Sequence, residues 1–262
     1  MSLLDPKERS ARGVAARAEL TATRPDTSKP YTVLQSSWRD FVYAEVWTRQ
    51  GLDLRSRFLV ALATAACAQD REMTRHYARG ALARRELTIG ELREAALHLA
   101  VYAGWSYGTV LDRAATEAVG DLKLEDPGYQ PLRTAPWDPA QRLADGAAGF
   151  LKVMKFGGPP PKTAYFEAGI NNFVFGEMWC RPGLDQRGRR WVTLVGVGNS
   201  SSSTPIRSHV WSAMASGDAT TEEMFEFVLQ YAIHAGWPRG SVMQGAVMEM
   251  APKVAKGLPY DG

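Results

Sequence analysis

FVYAEVWTRQGLDLRSR, residues 41–57, recurs 132 residues later as FVFGEMWCRPGLDQRGR, residues 173–189. Glu45/Glu177, Trp47/Trp179, Arg49/Arg181, Asp53/Asp185 and Arg57/Arg189 all keep that offset, and Ala103-Gly104-Trp105 returns at the same offset as Ala235-Gly236-Trp237. His76 pairs with His209 if the second copy carries one inserted residue. Half of the 262 residues is 131, so the repeat accounts for nearly the whole chain. So many matches at one offset point to a tandem duplication, with repeats at 1–130 and 131–262. The Pro- and Gly-rich stretch Asp121–Trp137 reads as the linker between them.

Helix signals recur with the repeat. Asp5-Pro6 and Asp138-Pro139 each place a capping aspartate before a proline at the first helical position. Pro25–Pro30 and Gly157–Pro161 break the opening helices. Ser56–Ala68 and Arg189–Gly198 are apolar enough for buried helices, with Asp53 and Asp185 as their caps. Thr88/Glu91 and Thr220/Glu223 fit the capping box. Each box leads into an amphipathic stretch (Leu92, Ala95, Ala96, Leu99; Met224, Phe227, Val228, Tyr231) that stops near Ala-Gly-Trp, with another helix beyond. No alternating strand pattern competes, so the predicted fold class is all-α.

The composition, 45% hydrophobic and 23% charged, is that of a folded globular chain. A net charge of +3 with interspersed signs argues against nucleic-acid binding. The longest apolar run, Phe58–Ala68, is too short to span a bilayer, and the charged start MSLLDPKERSAR lacks a secretory core. Two cysteines, Cys67 and Cys180, without a CxxC, make a disulfide framework improbable. A cytoplasmic protein is expected. No glycine pattern suggests a phosphate loop, and the Glu72/His76 spacing finds no second histidine pair to complete a metal site.

The order of these features resembles the carboxymuconolactone decarboxylase family, which shares its fold with alkyl hydroperoxidase D-like proteins. Trp179-Cys-Arg-Pro-Gly-Leu-Asp185 and Glu72-Met-Thr-Arg-His-Tyr-Ala-Arg-Gly-Ala-Leu82 carry the resemblance best. It covers about residues 40–115 and 172–250. The resemblance implies a tandem, all-helical, homo-oligomeric protein, a trimer mimicking six single repeats. It also implies a cofactor-independent lyase, active in a setting such as aromatic breakdown, on a small anionic substrate of the carboxylated lactone type. A redox enzyme of the peroxidase branch is the alternative. That branch places Cys-x-x-Cys four residues before a histidine, where this chain has Gln69 and Glu72, or Ser202 and Pro205. A third reading is a ligand-binding member with decayed sites, its pocket shut by Phe58 and Trp191. The family's glutamate after the buried-helix arginine is replaced here by Phe58 and Arg190.

Decarboxylation leaves an electron pair that must be delocalised into a carbonyl and then protonated. Such a site needs donors at the developing oxyanion, a proton carrier, and an apolar setting for the departing carboxylate. His76 and His209, at the family's histidine position, are the acid/base candidates. Glu72, one helical turn from His76, is positioned to orient it, whereas Pro205 stands at that place in the second copy. Tyr102 and His234 share one repeat position and complete the catalytic set. Arg49, Arg181, Glu45, Glu177, Trp47 and Trp179 are the substrate-binding candidates. The competing expectation is that Glu45–Arg49 and Glu177–Arg181 are ordinary i,i+4 ion pairs and that the tryptophans are core. His98, with Gln230 as counterpart, reads as structural. Asn199–Ser203 reads as a polar loop.

Overall fold

A computed structural model describes residues 5–23, 29–133 and 138–261. Among these residues no strand occurs. The helices form two series of six: α1 Pro6–Thr21, α2 Trp38–Val46, α3 Leu54–Cys67, α4 Arg71–Ala83, α5 Ile89–Ala103 and α6 Trp105–Leu122, then α7 Pro139–Met154, α8 Tyr165–Met178, α9 Gln186–Ser200, α10 Ser203–Ala215, α11 Thr221–Ala235 and α12 Trp237–Ala255. A short turn, Val33–Ser37, leads into α2. From α3 onward, each helix of the second series starts 132 residues after its counterpart.

The capping chemistry read from the sequence fixes these starts. Asp5 accepts the Lys7 N–H, and Asp138 accepts those of Ala140 and Gln141. Asp53 and Asp185 cap α3 and α9, and both threonine–glutamate capping boxes are closed. Gly104 and Gly236 turn α5 into α6 and α11 into α12 at φ of 116° and 89°, a backbone that strains any other residue. The Asn199–Ser203 loop is shorter than expected: α9 runs to Ser200, Ser201 is left-handed, and α10 begins at Ser203. The linker is irregular from Leu124 to Arg133. Most of the Pro25–Pro30 breaker, the end of the linker and Met1–Leu4 lie outside the described residues.

Helices α2 and α8 depart from the expected geometry. Their turns are π-helical, as the Trp47 N–H donating to the Val42 carbonyl and Trp179 to Val174 show. The wider turn takes residues four apart out of stack. The i,i+4 pairs Glu45–Arg49 and Glu177–Arg181 therefore do not form. Glu45 pairs with Arg9 on α1 at 2.5 Å, and Glu177 pairs with Arg142 on α7 and with Arg133.

Helices α3 and α9 lie at the centre, buried along nearly their full length. The two halves interlock there, because α5 packs on α9, α11 on α3, and α3 and α9 on each other. One continuous apolar core results, drawing Phe58, Leu62 and Leu92 from the first half and Trp191, Val195 and Phe227 from the second. The boundary near residue 130 thus divides the sequence but not the core. A smaller cluster of Phe150, Val153, Met154, Phe175 and Trp179 joins α7 to α8. No helix among the described residues is long and apolar enough to cross a membrane.

Ion pairs repeat the exchange. Glu94 on α5 receives Arg181 at 2.6 Å and Arg189 at 3.2 Å from the second half. Its repeat mate Glu226 on α11 receives Arg49, with Nε at 2.7 Å, and Arg57 at 2.9 Å from the first. The Glu94 cluster is more deeply buried, and removing one partner of a buried pair leaves a charge stranded. Glu94→Gln is expected to cost about 3–5 kcal/mol in urea unfolding, and Glu226→Gln less. Unchanged unfolding of both variants would mean that the halves are held by apolar packing alone.

Close helix approach generates a second prediction. A Cβ on Gly13 would lie 2.1 Å from the Arg39 carbonyl oxygen, and one on Gly146 1.9 Å from that of Asn171. Gly13→Ala or Gly146→Ala forces α1 off α2, or α7 off α8, at a cost of about 1–3 kcal/mol and several degrees in Tm. Gly120→Ala, with nothing within 4 Å, should leave Tm unchanged or raise it slightly.

Candidate functional site

Helices α4 and α10 are both 13 residues long and start 132 residues apart, with no insertion between them. The residue in register with His209 is therefore Tyr77, and the predicted pairing of His76 with His209 is corrected. Matching the two histidines by identity shifted the alignment by one position, which on a helix turns the side chain by about a quarter of a turn. His76 points away from the core and is half-buried, and burial lowers its pKa despite the opposing charge of exposed Glu72.

Correct register exposes an exchange. His209 on α10 meets Tyr102 on α5 of the other half, with rings 5.3 Å apart and nearly perpendicular. At the equivalent place, Tyr77 on α4 meets His234 on α11, with rings 5.5 Å apart at 83° and Nε2 3.1 Å from the hydroxyl. Both halves thus hold one histidine–tyrosine pair, each built across the two halves, with the residue types swapped.

Their surroundings differ in size. Trp38, Tyr43, Asp70 and Met73 border a void of about 190 Å³ on the Tyr77 side. Their counterparts Ile170, Phe175, Ser202 and Pro205 border a cavity of about 960 Å³ that His209 and Tyr102 also line. Trp47, offered as a binding residue, is core instead, packed 5.1 Å from Phe58 and 5.2 Å from Tyr77. Phe58 is fully buried against Trp47 and does not border that void. Trp191 does not close the other side, because it is buried against Phe227 and does not line the cavity.

At the polar end of the large cavity, the Trp179 indole N–H donates to the Tyr102 hydroxyl at 2.7 Å. Trp179 thus positions a lining residue. Tyr102 fits against α9 because residue 196 is glycine, where a Cβ would lie 2.5 Å from the tyrosine Cβ. Arg190 lies fully buried nearby, its guanidinium 5.1 Å over the Trp179 ring. It donates to Asp218 at 3.0 Å and to the Val153 carbonyl at 2.8 Å, while Nη1 has no partner. The sequence marks Arg190 as standing at the family's glutamate position and as one of a cluster of arginines suited to anion binding or subunit contact; its Asp218 partner follows from the fold alone. His98 sits behind this group, bonded to Thr193 at 2.9 Å.

Burial, helped by the Arg190 charge, pushes the His209 pKa down to about 3, so the imidazole is neutral near pH 7. The free Nδ1 of this ring has no partner. Burial raises Tyr102 to about 12, which keeps its phenol protonated as a donor. His234 is lowered to about 4 by burial. Arg49 and Arg181, expected to bind substrate, are committed to Glu226 and Glu94; Arg181 and Glu177 border a separate hollow near the linker.

Thiol chemistry finds little support, since a thiolate is the reactive form. Burial pushes Cys67 up to about 12 and also raises Cys180, whose Sγ contacts the Phe175 carbonyl at 3.2 Å. Among the described residues, no three His, Cys, Asp or Glu side chains gather as a metal site.

Three buried histidines held neutral make stability depend on acid. His98, His209 and His234 have folded pKa values below the ordinary 6.5, so the unfolded chain binds more protons between those values. Stability is then full above about pH 6.5 and falls as pH drops toward 4, with a slope of up to ~1.4 kcal/mol per pH unit per histidine. Urea unfolding between pH 7.5 and 4.5 should show this decline, less steeply in His209→Gln. A flat profile would contradict the buried neutral state.

Residues 33–117, from the turn before α2 into α6, match the profile described as the carboxymuconolactone decarboxylase family. The chain is also 32% identical over 93 residues to the 4-carboxymuconolactone decarboxylase of Acinetobacter baylyi (strain ATCC 33305 / BD413 / ADP1). That match spans 36% of this chain and 66% of the relative's length. The profile match includes Tyr102 of the cavity wall but not His209. Through residues 33–117, the chain belongs to the carboxymuconolactone decarboxylase family.

Proposed function

We propose that the chain is a decarboxylase that works at the cavity of about 960 Å³ and takes an anionic substrate bearing a carboxylate near an electron-accepting carbonyl. The observation that carries this reading is the pairing of His209 with Tyr102 on the wall of a largely apolar cavity, with Arg190 buried behind them. Asp218 neutralises Arg190, so the anion is received at this wall by the Tyr102 hydroxyl and the His209 imidazole. The aromatic walls give the carboxylate little of the solvation that stabilises it in water.

The proposed reaction breaks the bond between the carboxylate carbon and its neighbour. Its electron pair moves into the substrate carbonyl, carbon dioxide leaves, and an enolate remains. The Tyr102 hydroxyl, held by Trp179, donates a hydrogen bond to that enolate oxygen. An anion bound beside His209 favours its charged form, so binding is accompanied by proton uptake onto the imidazole. His209 then delivers that proton to the carbanionic carbon and is neutral again. Tyr102 comes from the first half and His209 from the second, so the site needs both.

Carbon dioxide release from such an acid should fall about a hundredfold or more in His209→Ala. Tyr102→Phe should cost about 10²–10³ in kcat, with smaller change in KM, as for a lost oxyanion donor. His76→Ala should leave turnover unchanged, because His76 faces away from the cavity. Full turnover in His209→Ala would overturn the assignment.

A further inference from the structure

The walls of the His209 cavity say more about the substrate than its polar end does. About 960 Å³ lies at the upper limit of the usual range for small-molecule pockets. A compact lactone with short acid arms would leave most of that space to water. The sides are Phe150 from α7 and Phe166, Ile170, Val174 and Phe175 from α8. The outer rim is aromatic as well. Tyr260 of the C-terminal segment packs 4.7 Å from Phe156, and the Trp211 indole donates to the Leu258 carbonyl at 3.0 Å, tying that segment down.

Charge is sparse in comparison. Lys155 and Asp261 are the charged lining residues and offset one another. Arg190, behind the wall, is paired with Asp218 and adds no net charge. A ligand with one carboxylate at the His209 end is matched by this distribution. A dicarboxylate would have to place its second anion on a wall that offers hydroxyls (Ser200, Ser202, Thr204, Ser208) but no cation beyond Lys155, which Asp261 offsets. Desolvating that charge against the phenylalanines is costly.

The equivalent region of the first half supports the same view. After α6 the chain runs across α5, where Asp126 pairs with Arg93 at 2.6 Å and Tyr129 lies under that guanidinium. After α12 the corresponding segment folds over the cavity, supplying Tyr260. The large aromatic chamber therefore depends on the helices and terminal segment of the second half, closed by Val101 and Tyr102 of the first, and is not a general consequence of the helix series.

We infer that the cavity accepts a bulky, mostly apolar ring compound with a single carboxylate, of at least two-ring aromatic size, in preference to small dicarboxylates. This inference rests on the proposed site but not on the reaction. The test is calorimetric titration of the full chain with 2-naphthoate, benzoate and cis,cis-muconate. 2-Naphthoate should bind at least tenfold more tightly than muconate, with benzoate between them. Ser202→Trp, which places an indole in the cavity from an exposed N-cap position, should weaken naphthoate binding tenfold or more without changing Tm. Muconate binding as tight as naphthoate, or naphthoate binding untouched by Ser202→Trp, would overturn the inference. Tight, Ser202-sensitive naphthoate binding, together with no carbon dioxide release from any ring-bearing 3-oxo acid, would uphold it and overturn the decarboxylase reading instead.

Discussion

The exchanged glutamate–arginine clusters are the constraint on which the arrangement of this chain depends. Glu94 is claimed by Arg181 and Arg189, and Glu226 by Arg49 and Arg57, so each half supplies the carboxylate that neutralises the other's buried cations. Arginines that buried are tolerable only when paired. Arg57 and Arg189 also donate to the carbonyls of Leu52 and Leu184, which fixes the turn before each central helix. With those four arginines satisfied across the halves, α5 has to lie on α9 and α11 on α3. The placement of Tyr102 against His209, and of His234 against Tyr77, follows directly.

Much of the scaffold was legible in the sequence because it depends on local chemistry. Capping aspartates, capping boxes and the glycine turn at Ala-Gly-Trp act within a few residues, and each does in the structure what its spacing implies. The offset of 132 located the matching helices for the same reason. What escaped were facts about partners far apart in sequence. The i,i+4 reading of Glu45 and Arg49 assumed a helix with ordinary pitch, and a π-helical turn is not visible in residue spacing. The carboxylates that receive Arg49 and Arg181 are 177 and 87 residues away, beyond any local rule. One signal was available: Glu94 and Glu226 also obey the 132 offset, and charged residues repeated on otherwise apolar helix faces need partners.

The candidate site was half legible. Tyr102, His209, His234 and Trp179 were identified, and all four lie in or beside a histidine–tyrosine pair. His76 was selected because histidine looked like histidine. On a helix, however, one position changes which face a side chain occupies, and helix register outranks identity. Tyr77, its immediate neighbour, is the residue that faces inward.

A nearly perpendicular histidine–tyrosine contact occurs twice, hydrogen-bonded at His234–Tyr77. Yet among the described residues only the His209–Tyr102 copy lines a large cavity, so the pair alone does not make a site. Its surroundings decide. On the first-half side, Trp38, Tyr43 and Met73 leave little space beside Tyr77, and the segment after α6 is occupied elsewhere by Arg93. On the second-half side, Ile170, Phe175 and Pro205 are smaller or set back, and Arg190 replaces Phe58 behind the wall. A histidine lowered to about 4 beside a small void, and one lowered to about 3 beside a large one, are chemically alike until a ligand arrives. Only the second has room for an anion whose charge could lift it back toward neutrality. The asymmetry between the halves is thus one of access: two similar polar pairs sit in one scaffold, and packing leaves a single one of them facing a chamber large enough to hold a substrate.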